Sequence, residues 1–219
     1  MVALIISFFL GSLLGIIGAW RRNGFVDSVV PPVLLFTGSF PYFWIATVAL
    51  FFIGFKWNLL PLRHAYSDSL SPGFNIEFFL SVGKHLIMPA GTIVLVAIGG
   101  WMLGMRNSMI SILSEDYITM AEAKGLSQRQ VMFGYAARNA LLPSVTAFGM
   151  ALGFVISGAL VTETVFAYPG LGYSLLTAVR QLDYPLMQGI FLMITLAVLD
   201  ANLVVDLIYV RLDPRVRTG

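Results

Sequence analysis

The chain has 219 residues, 58% of them hydrophobic and 11% charged, with a net charge of +2 and no cysteine. A soluble domain carries about 25% charged residues, so this chain cannot cover a soluble surface, and the bilayer is its expected solvent. Disulfides, thiolate metal sites and cysteine nucleophiles are excluded, and the positive residues are scattered between apolar blocks rather than clustered as nucleic acid requires.

Five segments have the roughly 20 residues needed to cross a hydrocarbon core. They are Val2–Trp20, Val29–Phe55, Leu86–Met105, Leu141–Phe166 and Leu186–Val210. No positive charge precedes the first, and Arg21 and Arg22 follow it, so it reads as a span and not as a cleavable leader. Pro41, inside the second, predicts a kink, because proline removes a backbone donor and crowds the preceding turn. Pro31, Pro89 and Pro143 stand near predicted span starts, where a missing N–H costs little. Gly11/Gly15, Gly100/Gly104 and Gly149/Gly153 are spaced for close helix approach.

One set of loops carries nine Lys and Arg residues (among them Arg21, Arg22, Arg106, Lys124, Arg129 and Arg138), and the other carries four. The richer side is expected to be cytoplasmic, placing Met1 outside and Gly219 inside.

The loop after the third span is polar and organised. Ser114 followed by Glu115 and Asp116 reads as a helix start, and Gly125 as its left-handed stop. "SQRQ", Ser127 to Gln130, is a capping box that opens a second helix toward Pro143. The first helix is too short to be stable alone in water. Local physics allows it either to pack on the chain's own inner ends or to dock in a partner's groove.

Three acids and two histidines outside that loop bear weighing. Glu163 closes the fourth span, where local physics reads it as a solvated helix-end acid. Asp200 lies at membrane depth, where an acid is costly and by default a functional candidate; it either lines a path or senses protons, or it is neutralised by protonation or by bonding to Asn202 or a neighbouring span. Asp206 is placed to pair with Arg211. His64 and His85 have no carboxylate or second histidine at ligand spacing, so no metal site is expected. There is no phosphate loop, no G-x-S-x-G and no H-E-x-x-H, so the chain is not expected to be an enzyme.

"DYITMAEAKGLSQRQVMFGYAARNALLPSVTAFGMALG", with "LVTETVFAYPGLGYSLL", "LDYPLMQG", "NLVVDLIYVRLDPRVR", "SFPYFW" and "KHLIMPAGTIVL", resembles the binding-protein-dependent ABC importer permeases of the dipeptide, oligopeptide and nickel branch. The resemblance spans nearly the whole chain. It implies an all-α integral membrane protein with the type I permease fold and about five transmembrane helices. It also implies one permease domain over 1–219, with a cytoplasmic coupling loop at 106–140. The short helix becomes a coupling helix that enters a cleft on the ATPase subunit, so Glu115, Asp116, Tyr117, Ala121, Glu122, Ala123, Lys124 and Gly125 are the candidate coupling residues. Ala121 is expected on the face that enters the cleft.

Glu163 and Asp200 are the candidates for gate or path. The implied function is the permease subunit of an ATP-driven importer of peptides or a small solute such as nickel, in a bacterial or archaeal inner membrane. The implied partners are a second homologous permease, two ATP-binding subunits and an extracellular substrate-binding protein; no cofactor is implied, ATP being bound by a partner. An ion-coupled secondary transporter is the alternative, resting on Asp200 alone. Members of this branch carry a further N-terminal span, so Met1 is expected to open the family's second span.

Overall fold

The computed structural model describes residues 1–156 and 160–212, without the side chains of residues 153, 154, 156, 205, 206 and 208–212. All regular elements among the described residues are helical. Among the described residues three helices are long and apolar enough to cross a membrane, and a bent pair makes a fourth span if it is read as one.

Helix α1, Val2–Trp20, has a length of about 28 Å at 1.5 Å per residue, close to the thickness of a hydrocarbon core. The second predicted span is broken: α2 (Phe25–Ser28), α3 (Val30–Gly38) and α4 (Tyr42–Ala49) follow one another, and α4 runs on as a π-helix over Leu50–Lys56. The break falls at Pro41, as its chemistry requires, and turns the chain by 88°. Pro31 stands in the first turn of α3, where its missing N–H costs nothing.

Helix α5, Ile76–Leu113, is far longer than the predicted Leu86–Met105. At about 57 Å it overshoots the bilayer. Its start is polar and hidden from a hydropathy reading: the Asn75 side chain accepts from the Phe78 N–H at 2.7 Å. Pro89 therefore lies inside α5 and not near a span start, and Pro143 likewise lies inside α8 (Arg138–Ile156). Between them come α6 (Asp116–Ala123), α7 (Gln128–Gln130) and a π-helix over Val131–Ala137. The predicted Leu141–Phe166 span corresponds to α8 and α9 (Leu160–Val165), joined through residues 157–159, which lie outside the described residues. Helices α10 (Leu171–Gln181) and α11 (Tyr184–Leu212) complete the described residues.

The centre of the bundle is the α1–α5 seam. A Cβ on Gly11 would stand 2.6 Å from the Trp101 Cβ, and one on Gly15 would stand 2.5 Å from the Met102 carbonyl oxygen. The two helices touch backbone to backbone, which is the use expected of that glycine pair. Gly100 and Gly104 face open space instead. Among the glycines of α5, Gly99 is the one that meets another helix closely, with its Cβ position 3.0 Å from the Leu34 carbonyl oxygen of α3. Phe8, Trp101 and Phe148 then tie α1, α5 and α8 together, with Phe8 edge-on to Trp101 at 5.2 Å between ring centres.

Candidate functional site

The two ends of this bundle are built differently, and the sequence-predicted residues divide between them. At the end where α1 and α5 stop, Met105 and Met109 form a fully buried floor with Val131, Ala136, Ala137 and Ala140. Helix α6 lies on that floor through Ile118 and Ala121, each 3% exposed.

The turns at each end of α6 fix its direction. Ser114 does not cap it; its hydroxyl donates to the Ser111 carbonyl at 2.7 Å and so closes α5, leaving Glu115 as the N-cap residue without a side-chain bond. At the other end Gly125 has φ +77°, its N–H donates to the Glu122 carbonyl at 2.8 Å, and the Leu126 N–H reaches the Ala121 carbonyl. This is the paired closure of a Schellman turn, with Leu126 packed back on the same core. The capping box follows: the Ser127 N–H donates to Gln130 Oε1 at 3.0 Å, and the Gln130 N–H to Ser127 Oγ.

The outward surface of α6 and its turn holds Glu115, Asp116, Tyr117, Thr119, Met120, Glu122, Ala123, Lys124 and Gly125, all exposed. Ala121 is corrected: it points into the chain's own core and not toward a partner. Met120 is 61% exposed and is a large apolar residue of the outward face. Counting by helical turn separates it from Ile118 and Ala121, which lie three apart on one side.

Beside this floor, Arg106 Nε donates to Asp27 Oδ1, and the Asn23 N–H donates to Asp27 Oδ2 at 3.0 Å. The Asp27 side chain is 7% exposed. It ties the turn after α1 to α5. Sequence reading passed over it because 79 residues separate the partners.

At the opposite end Glu163 is half-buried on α9. Its carboxylate accepts from the Tyr173 N–H at 2.9 Å, satisfying an otherwise unpaired donor in the first turn of α10. Gly170, the N-cap residue, lies against that carboxylate, and a Cβ on Gly172 would stand 2.7 Å from the Leu160 Cα. The "YPGLG" stretch is thus a fold-back that seats α10 on α9. Glu163 is its anchor, so it is not a solvated helix-end acid. Burial, with a smaller contribution from the Glu163 charge, pushes the neighbouring Tyr168 hydroxyl above its usual range. A cavity of about 690 Å³ opens beside these residues, with Tyr42, Pro89, Thr162 and Tyr168 among its walls.

Asp200 lies on an exposed face of α11 with Leu196, Leu199, Leu203 and Leu207. It is not buried within this chain. The side chains of Asp206 and Arg211, expected to pair, lie outside the described residues. His64 bonds Asp68, four residues on, at 2.8 Å, a carboxylate neighbour the spacing argument had discounted. Among the described residues no three His, Cys, Asp or Glu side chains gather as a metal site.

The described residues thus form a helical membrane bundle with a tethered short helix at one end and a capped fold-back at the other. Residues 11–218 match the family described as the binding-protein-dependent transport system inner membrane component, and the chain belongs to that family. It is 39% identical over 233 residues to a probable D,D-dipeptide transport system permease protein of Escherichia coli (strain K12), covering 99% of this chain and 68% of that one. It is 35% identical over 234 residues to a dipeptide transport system permease protein of the same strain, covering 98% and 68%. A di/tripeptide transport system permease protein of Pseudomonas aeruginosa (strain UCBPP-PA14) is 38% identical over 224 residues, covering 94% and 66%. The fold is accordingly the type I permease fold of ABC importers.

Proposed function

We propose that this chain is the permease subunit of an ATP-driven importer of di- or oligopeptides in a bacterial inner membrane. The three relatives above are named for dipeptides or di/tripeptides, which favours peptides over nickel within the branch. The α6 end is cytoplasmic, following the excess of Lys and Arg on that side. Residues 106–140 form the coupling loop of a single permease domain. Glu115, Asp116, Tyr117, Met120, Glu122, Ala123 and Lys124 present the ATPase contact, while Ala121 and Gly125 hold the helix in place. ATP is bound and hydrolysed by two partner subunits, since the sequence has no phosphate loop. A second homologous permease completes the path, and an extracellular binding protein delivers the peptide. Glu163 sets the outer gate by seating α10, and Asp200 faces the second permease or the path.

The observation that carries this reading is the mounting of α6. A helix of eight residues is unstable alone, yet here two buried side chains and a glycine closure fix it rigidly while its other face stays open. A helix fixed in this way transmits a rigid-body movement of whatever grips it.

The test is reconstitution. The chain co-expressed with its neighbouring permease, ATPase and binding-protein genes should import dipeptide into ATP-loaded proteoliposomes. Import should persist when ion gradients are collapsed and stop when ATP is withheld. Import that instead follows the ion gradient, or that the chain sustains alone, overturns the reading.

A further inference from the structure

The residues between α6 and the end of α1 remain unexplained by coupling. A cleft of about 860 Å³ runs there, and its lining includes Trp20, Arg21, Arg22, Glu122, Arg129 and Phe133. Three guanidinium groups thus share one cleft with one carboxylate. Among the described residues the ion pairs are His64–Asp68 and Arg106–Asp27, so none of these three arginines has a carboxylate within pairing distance. Asp27, the acid of the adjoining turn, is already engaged by Arg106 and by the Asn23 N–H.

We propose that this cleft binds the phosphate of an anionic membrane phospholipid, which braces α6 against the end of α1. The inference rests on the permease reading for its orientation in the membrane. Three features select this ligand. The cleft begins where a 19-residue uncharged helix ends, and so lies at headgroup depth. Trp20, of the residue type enriched at that depth, and Phe133 give it an apolar wall for the glycerol end of a lipid. Arginine forks match phosphate oxygens two at a time, and basic pockets between helices on the cytoplasmic side are suited to anionic headgroups. The ATPase is the less apt occupant, because only Thr119 and Glu122 of the outward face of α6 reach the cleft, while Met120, Ala123 and Lys124 do not line it. A phosphate seated there would pull the turn after α1 and the start of α7 together beneath α6, so coupling would depend on anionic lipid.

The test uses the assembled transporter in nanodiscs of phosphatidylcholine alone or mixed with phosphatidylglycerol. Bound lipid is read by native mass spectrometry, and peptide-stimulated ATP hydrolysis in parallel. The wild type should retain phosphatidylglycerol in preference to phosphatidylcholine. The triple variant Arg21→Gln, Arg22→Gln, Arg129→Gln should lose that retention about tenfold or more, since each basic side chain near the surface strengthens attachment severalfold. The matching triple lysine variant should keep part of it, and Arg180→Gln, at the other end of the bundle, all of it. Stimulated hydrolysis by the wild type should rise with phosphatidylglycerol, and that rise should vanish in the glutamine variant.

Equal lipid retention by wild type and glutamine variant overturns the proposal. So does displacement of the lipid by millimolar inorganic phosphate, which would mark a free-anion site. Loss of the ATPase subunits from the glutamine variant in phosphatidylcholine alone also overturns it, because the arginines would then be ATPase contacts. A wild-type complex that couples peptide to hydrolysis equally in both lipids sinks this inference and leaves the permease reading standing; a complex that never couples them sinks that reading itself.

Discussion

The carboxylate of Glu163 occupies the space a side chain on residue 170 would need. A Cβ on Gly170 would stand 2.2 Å from Glu163 Cδ. The glycine admits the acid, and the acid caps the first turn of α10 through Tyr173. Gly170→Ala should therefore act through Glu163: the flexible acid can swing away, but only by giving up its bond. Glu163→Gln keeps the acceptor and loses the charge, at a cost of about 1 kcal/mol, whereas Glu163→Ala loses the bond, at about 1–3 kcal/mol. Hydrogen exchange of residues 171–181 should quicken in the order Gln, then Ala. Gly170→Ala combined with Glu163→Ala should add little to either alone. Additive effects would show that the two residues do not act as a unit.

The α1–α5 seam gives a second prediction. Gly15→Val would drive two methyl groups against the Met102 carbonyl and the Arg106 N–H, both backbone atoms that cannot swing aside. Overpacking of this kind costs about 1–3 kcal/mol or more, and the helices must part. Detergent-solubilised variant should lose thermal stability by several degrees. Gly104→Val, whose Cβ position meets nothing within 4 Å, should keep the stability of the isolated chain. If both variants melt alike, the seam is not where the backbones meet.

These two sites show what the sequence made legible. The glycine spacing of Gly11 and Gly15, the break at Pro41, the stop at Gly125 and the Ser127–Gln130 capping box are local chemistry, and each stands where that chemistry put it. The extent of α5 was hidden because its ends are polar and a hydropathy window sees only the apolar middle. Whether Ala121 points in or out depends on the floor of Met105, Met109 and Val131, which comes from elsewhere in the chain. The Asp27–Arg106 pair joins elements whose approach no single stretch encodes. Pairs such as Gly100/Gly104 fit the spacing rule yet meet nothing in this chain, because spacing marks a capacity for contact and not a partner.

The correction at Ala121 changes how the coupling proposal is tested. Ala121→Arg would bury an unpaired charge in the chain's own core, which costs several kcal/mol, so it should lower expression of the folded permease. Met120→Arg leaves that core intact and charges the proposed contact. Met120→Arg should preserve folding and permease pairing while ATPase co-purification falls about tenfold or more, the loss typical of an apolar anchor at an interface centre. Unchanged ATPase capture by Met120→Arg would place the contact on another face.

Orientation can be read directly, because the chain has no cysteine of its own. Ser127 and Ser69 are both exposed and lie on opposite sides of α5 in sequence. Ser127→Cys should react with a membrane-impermeant maleimide only after the cells are opened. Ser69→Cys should react in intact cells, once the outer membrane is permeabilised where one is present. The reverse pattern would invert the topology and place α6 outside.

Asp200 supplies the last prediction. It shares the exposed face of α11 with Leu196, Leu199, Leu203 and Leu207, on the least buried of the three membrane-length helices among the described residues. A carboxylate held against lipid at that depth would be expensive, so this part of the face should be covered by the second permease or open to the path. The two cases separate by substitution. If a partner's donor bonds the acid, Asp200→Leu strands that donor without a mate, at about 1–3 kcal/mol, and the pair of permeases should dissociate more readily in detergent. If the acid lines the path, Asp200→Leu should leave the pair intact and lower the maximal import rate. Asp200→Asn keeps hydrogen bonding and should be milder in both cases. Crosslinking through a cysteine at residue 200 decides between them, since contact with the partner gives a covalent pair and a path position gives modification by small hydrophilic reagents. A leucine variant that matches wild type in pairing and import, with a cysteine that neither crosslinks nor reacts, would mean that the acid faces lipid after all.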